Sequence, residues 1–79
     1  MDQITPTKTL DARGLKCPMP VVKTSQEIKN IAVDDILEVL ATDPGSIADI
    51  SAWCKSTGNE LLKMDQGDGV FMFYIRRVN

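Results

Sequence analysis

The chain contains no histidine, and that absence removes more chemistry than any other feature of its composition. A Cys–His catalytic pair cannot be built, nor can a histidine-ligated metal site. Only two cysteines are present; without histidine they leave little basis for zinc. In a chain expected to be intracellular they read as free thiols rather than a disulfide framework. No apolar run reaches membrane-spanning length, so membrane insertion is not expected. The opening Met1-Asp2-Gln3-Ile4-Thr5-Pro6 has neither a basic region nor an apolar core; no signal peptide is visible, and a cytoplasmic location is expected. Net charge is -2 and the nine basic residues are scattered, so the basic footprint of a direct nucleic-acid binder is missing. The Arg76-Arg77 pair reads as a solvated strand end.

What remains is an ordinary small globular composition, 79 residues with 43% hydrophobic and 25% charged. Repeats, low-complexity stretches and linkers are lacking, so residues 1–79 are expected to form a single domain with 1–6 as a loose arm. A first strand is predicted over 7–12, ending at an Arg13-Gly14 turn. A helix follows over 18–30, with Val21, Val22, Ser25, Ile28 and Ala32 as its inward stripe and Lys23, Glu27 and Lys29 outside. The second strand, over 35–41, alternates Leu37, Val39 and Ala41 on one face with Ile36, Glu38 and Leu40 on the other. Asp43-Pro44-Gly45 turns the chain into a second helix capped by Ser46, with Asp49 completing a capping box. Ile47, Ile50, Cys54 and Thr57 form the inner side of that helix, and Gly58 ends it. Strands over 60–65 and 70–78 flank Gln66-Gly67-Asp68-Gly69, a hairpin signal. Phe71, Phe73 and Tyr74 read as strand-packing residues. The order β-α-β-α-β-β favours a two-layer α/β sandwich, a four-stranded mixed sheet with two helices on one face. A doubly wound sheet is disfavoured because so short a chain cannot cover both faces.

The densest local signal is Cys17-Pro18-Met19-Pro20. Proline is tolerated only in the first turn of a helix. Taking Cys17 as N-cap puts Pro18, Met19 and Pro20 at N1 to N3 and leaves the Met19 N–H for the sulfur to cap. The sulfur then meets the positive end of the helix dipole, near Arg13 and Lys16, which favours thiolate. Pro18 and Pro20 hold the backbone, and Gly14 is a turn residue. Asp43 and Asp49 read as turn and capping groups. Cys54 reads either as a buried inert thiol or as a resolving partner for Cys17, and Trp53 as a core-edge residue or a partner contact.

The run Leu10-Asp11-Ala12-Arg13-Gly14-Leu15-Lys16-Cys17-Pro18-Met19-Pro20-Val21-Val22-Lys23 resembles the signature of the TusA/SirA-like sulfur-carrier family. Ala41-Thr42-Asp43-Pro44-Gly45-Ser46, Asp49-Ile50, Trp53-Cys54 and Thr57-Gly58-Asn59-Glu60 resemble it too, so the likeness runs from about residue 8 to residue 78. The resemblance implies a two-layer sandwich in which Cys17 carries sulfane sulfur as a persulfide, without a cofactor. It implies a cysteine desulfurase or rhodanese-type donor and a downstream sulfur-acceptor protein, in a relay such as tRNA thiolation, sulfur oxidation or cofactor assembly. Arg13 and Lys16 would then screen the persulfide, dock an acidic partner, or stand merely solvated. With the thiolate preformed, no general base is needed. Monomer is the default for a carrier that must expose its loaded end. The competing readings are a thiol-redox module cycling Cys17 and Cys54, and a non-catalytic regulatory interaction domain.

Overall fold

The computed structural model describes residues 4–79. The arm expected over 1–6 therefore lies partly outside the described residues; Ile4–Pro6 have no regular secondary structure. The elements are β1 (Lys8–Ala12), α1 (Met19–Glu27) continued by a 3-10 turn (Ile28–Asn30), β2 (Ile36–Ala41), α2 (Ser46–Thr57), β3 (Glu60–Gly67) and β4 (Val70–Arg76). They form a mixed four-stranded sheet in the order β1-β2-β4-β3. β1 runs parallel to β2, and β4 is antiparallel to both of its neighbours. The two crossovers, β1-α1-β2 and β2-α2-β3, step the same way across the sheet. Right-handed connections then leave both helices on one face.

Strand alternation decides which side chains meet those helices. In β2 and β4 every second residue is buried. Leu37, Val39, Phe73 and Ile75 are wholly buried, beside Ala41 and Phe71 from the strands and Ile50 and Cys54 from α2. Each large side chain so placed contributes roughly 1.5–3 kcal/mol of burial. The opposite face is wetter: Glu38 accepts hydrogen bonds from Thr9 and Tyr74, and Arg76 pairs with Glu60 and Asp34. The β3–β4 hairpin closes through Asp68 and Gly69, both at positive φ (52° and 77°). The expected four-residue link Gln66-Gly67-Asp68-Gly69 is thus a two-residue turn, because β3 runs on through Gly67.

The inward row of α1 differs from the expected stripe. Pro20, Thr24 and Ile28 are buried at successive four-residue steps, whereas Val22 is 37% exposed and Ala32 is exposed. Thr24 enters the core because its hydroxyl donates to the Pro20 carbonyl (2.7 Å), leaving no unpaired polar atom. An apolar periodicity search passes over a threonine of this kind. The second helix ends as expected: Gly58 adopts φ 82° and its N–H returns to the Cys54 carbonyl (2.9 Å).

Candidate functional site

Three chain segments converge at one end of the molecule: the loop leaving β1, the start of α1, and the turn that begins α2. The loop is set by Gly14, at φ 82°, whose N–H donates to the Thr42 hydroxyl (2.9 Å). Half-buried Leu15 then packs against the core. Cys17 follows, exposed, with a cis peptide bond to Pro18. The Met19 N–H donates to the Lys16 carbonyl (2.8 Å), closing a turn across Cys17 and Pro18.

That turn corrects the expected cap. Pro18, not Cys17, occupies the N-cap of α1; Met19 and Pro20 take N1 and N2, and no side chain caps the helix. The Met19 donor that the sulfur was expected to meet is already committed to Lys16. Cys17 sits one residue before the N-cap and looks across to α2 instead. Its N–H donates to Asp43 Oδ2 (3.3 Å), and its Sγ donates to Asp49 Oδ2.

The electrostatics are corrected with it. The Cys17 thiol is raised above its ordinary value, first by the hydrogen bond to Asp49, then by partial desolvation and by the negative charges of Asp49 and Asp43. The resting sulfur is therefore a thiol, not the thiolate expected from the helix end and its basic neighbours. Arg13 does not offset this. Its guanidinium is held by Asp11 through two hydrogen bonds (2.8 and 2.9 Å), and Asp11 is correspondingly lowered to about 2. Lys16 is exposed and makes no ion pair among the described residues.

The α2 turn is built to come this close. The Asp43 carbonyl accepts from both the N–H (3.0 Å) and the hydroxyl (2.6 Å) of buried Ser46. Gly45 lies against the cysteine: a Cβ there would stand 3.6 Å from Cys17 Cβ, 3.9 Å from its Sγ and 3.0 Å from Asp43 Oδ2. Neither Ser46 nor Asp49 caps α2 by side chain, since Gly45 is the N-cap. The expected capping box is absent because Ser46 bonds backward and Asp49 faces the sulfur.

Beyond Cys17 a shallow groove of about 450 Å³ runs between the helices, lined by Cys17, Pro18, Val21, Asp49, Ala52, Trp53 and Ser56. Asp49, Ala52, Trp53 and Ser56 share one face of α2, at i, i+3, i+4 and i+7. This second stripe was readable beside the buried one at Ile50 and Cys54, and it is the signal that would have joined Asp49 and Trp53 to the site. Pro20 is buried, while Met19 is exposed and does not line the groove. Cys54 is 4% exposed in the core, and burial pushes its thiol up to about 11.

Comparison with known proteins agrees with this architecture. A family model described as Sulfurtransferase TusA matches residues 8–77. The sulfur carrier protein TusA of Pseudomonas putida is 42% identical over 77 residues, covering 98% of this chain and 96% of that protein. A Halobacterium salinarum protein, provisionally named a sulfur carrier, is 51% identical over 72 residues, covering 90% of this chain and 89% of its own. Two other curated relatives are longer, the chain spanning 38% and 40% of their lengths. In fold, a crystal structure of a SirA-like protein from Desulfitobacterium hafniense superposes with a TM-score of 0.79 at 22% identity, covering 91% of this chain and 99% of that one. With Cys17, Pro18 and Pro20 at the start of its first helix and a family match over nearly its whole length, this chain belongs to the TusA family.

Proposed function

We propose that the protein is a sulfur carrier that holds sulfane sulfur as a persulfide on Cys17, taking it from a donor protein and giving it to an acceptor. The observation that carries this reading is the placement of Cys17: an exposed sulfur on a rigid turn, at the mouth of an open groove. A bound sulfur would extend about 2 Å past Sγ, and the open groove leaves room for it. Relatives named as sulfur carriers support the same reading.

The unit acts as one domain in the cytoplasm and needs no cofactor, because the exchanged sulfur is itself the reactive group. A cysteine desulfurase or rhodanese-type protein fits the donor role, since each presents a persulfide. Gly14 and Leu15 fix the approach to the cysteine, Pro18 and Pro20 stiffen its exit, and the exposed Lys16 and Met19 flank it in sequence, where a partner would touch. Arg13, engaged by Asp11, shapes the loop rather than neutralising the sulfur. Burial of Cys54 weighs against a redox cycle between the two cysteines. Among the described residues no helix is long and apolar enough to cross a membrane.

The test is transfer in both directions. The chain is loaded from a cysteine desulfurase with radiolabelled cysteine sulfur, separated from the donor, and mixed with a small thiol acceptor. Label should bind in one equivalent and leave for the acceptor. A label that never attaches, or that stays on the protein in excess thiol, contradicts carriage.

A further inference from the structure

An acidic residue in the first turn of a helix ordinarily serves the helix, capping a backbone N–H or complementing its dipole. Asp49 caps nothing by side chain and instead receives the hydrogen of Cys17 Sγ, across the gap between α1 and α2. Asp43, from the turn before α2, binds the Cys17 N–H on the same side. Among the described residues no cation is paired with either carboxylate: Arg13 is taken by Asp11, the exposed Lys16 makes no ion pair, and the other groove residues, Pro18, Val21, Ala52, Trp53 and Ser56, carry no charge. The arrangement holds the sulfur protonated, which suits storage and obstructs attack.

We propose that Asp49 is a catalytic residue of sulfur loading: it takes the Cys17 proton as the sulfur attacks and delivers it to the thiolate expelled from the donor. This deepens the carrier reading and rests on it. In the step, Cys17 Sγ forms a bond to the outer sulfur of a donor R–S–SH while the donor's S–S bond breaks. The electron pair of that bond goes to the inner sulfur, which leaves as R–S⁻. Asp49 Oδ2 accepts the proton from Sγ and passes it to R–S⁻. The products are Cys17–S–SH and R–SH, with no change in total protons or electrons. General acid–base assistance of this kind contributes about 10²- to 10⁴-fold. It has a second consequence: an electrophile that expels a group needing no proton gains nothing from the return half of the transfer. Sulfur donors are thereby preferred over indiscriminate alkylating or oxidising agents.

The experiment compares two reactions of the full chain, both in a Cys54→Ser background: alkylation by iodoacetamide and loading by glutathione persulfide, each followed by intact mass from about pH 6 to pH 11. Asp49→Asn keeps a hydrogen-bond acceptor but removes the charge and the ability to carry the proton. Its alkylation profile should move to lower pH, with faster reaction near neutrality, while loading there slows at least about tenfold. Asp49→Glu should recover a good part of the loading. If loading in Asp49→Asn accelerates in step with alkylation, or neither reaction changes, the proton-transfer role is overturned. If the parent protein itself gains no sulfur on Cys17 at any pH, the carrier reading has failed, independently of Asp49.

Discussion

Gly45 shows how much of this site depends on a single missing side chain. Its φ of -65° is open to any residue, so the glycine is not required by backbone conformation but by the neighbours that press on it. An alanine Cβ would stand 3.0 Å from Asp43 Oδ2, and the carboxylate must move. Gly45→Ala should cost only about 1 kcal/mol through the weakened N-cap, lowering the melting temperature by roughly 4–8 °C. The carboxylate must give by a few tenths of an ångström, which loosens its 3.3 Å bond to the Cys17 N–H and shifts one of the two charges that raise the thiol. Alkylation of Cys17 near pH 8 should therefore rise, by about twofold or less. An unchanged rate, with folding intact, would mean that the turn does not tune the sulfur. Sequence could reveal Cys17 and its prolines because those residues have narrow structural uses. The α2 stripe at Asp49, Ala52, Trp53 and Ser56 could group Asp49 with the groove, but not show that either aspartate bonds the cysteine. Asp43 and Asp49 each have a common local role, in a turn or a cap, and only the packing of α2 against α1 shows that both were recruited elsewhere.

Among the elements, the helices carry the strongest terminal signals. Gly58 ends α2 in the left-handed region and brings the chain into β3. Gly58→Ala should cost about 1–2 kcal/mol, the ordinary penalty for a Cβ in that conformation. Asn79 Nδ2, which the new Cβ would approach to 2.7 Å, is the tip of a flexible terminal side chain and can move aside, so the cost rests on the backbone conformation. Gly58→Asn should be milder, because asparagine tolerates the left-handed region. Urea midpoints of the two variants, read beside the parent, give the ordering directly; equal losses would remove the conformational explanation. Element order and type were legible from turn residues and periodicity throughout, and the boundaries shifted by no more than a few residues. What misled was the inward face of α1. The expected stripe counted Val22 and Ala32 as core, but a helix beginning at Met19 with Pro20 beneath it turns Thr24 inward and those two outward. The hydroxyl-to-carbonyl bond that makes Thr24 acceptable in the core has no hydrophobic signature.

For the molecule as a whole, the two thiols give stability and reactivity separate pH dependences. Cys54 belongs to the core, and its native thiol titrates at about 11 against an ordinary value of 9.0. Between those values the unfolded chain has released the proton and the native chain has kept it. Ionisation therefore favours unfolding, and stability present below pH 9 is lost as pH rises toward 11. The loss amounts to roughly 2–3 kcal/mol by the top of that window. Tyr74 is raised as well, chiefly by its hydrogen bond to Glu38, and pushes the same way. The test is thus a difference: Cys54→Ala, already weakened by its small cavity, should lose less further stability between about pH 8.5 and pH 10.5 than the parent does. Parallel losses would assign the alkaline sensitivity elsewhere. The division also leaves only one of the two sulfurs reachable from solvent. The sheet and both helices shelter Cys54, while the turn across Cys17 and Pro18 holds the other sulfur out at the groove.

The central claim is that sulfur is carried on Cys17, and intact-mass measurement after incubation with glutathione persulfide tests it most directly. The parent protein and Cys54→Ser should each gain about 32 Da, one sulfur atom, and return to the starting mass with reductant, while Cys17→Ser should gain nothing. A stable mass gain on Cys17→Ser, or none on Cys54→Ser, would contradict the account.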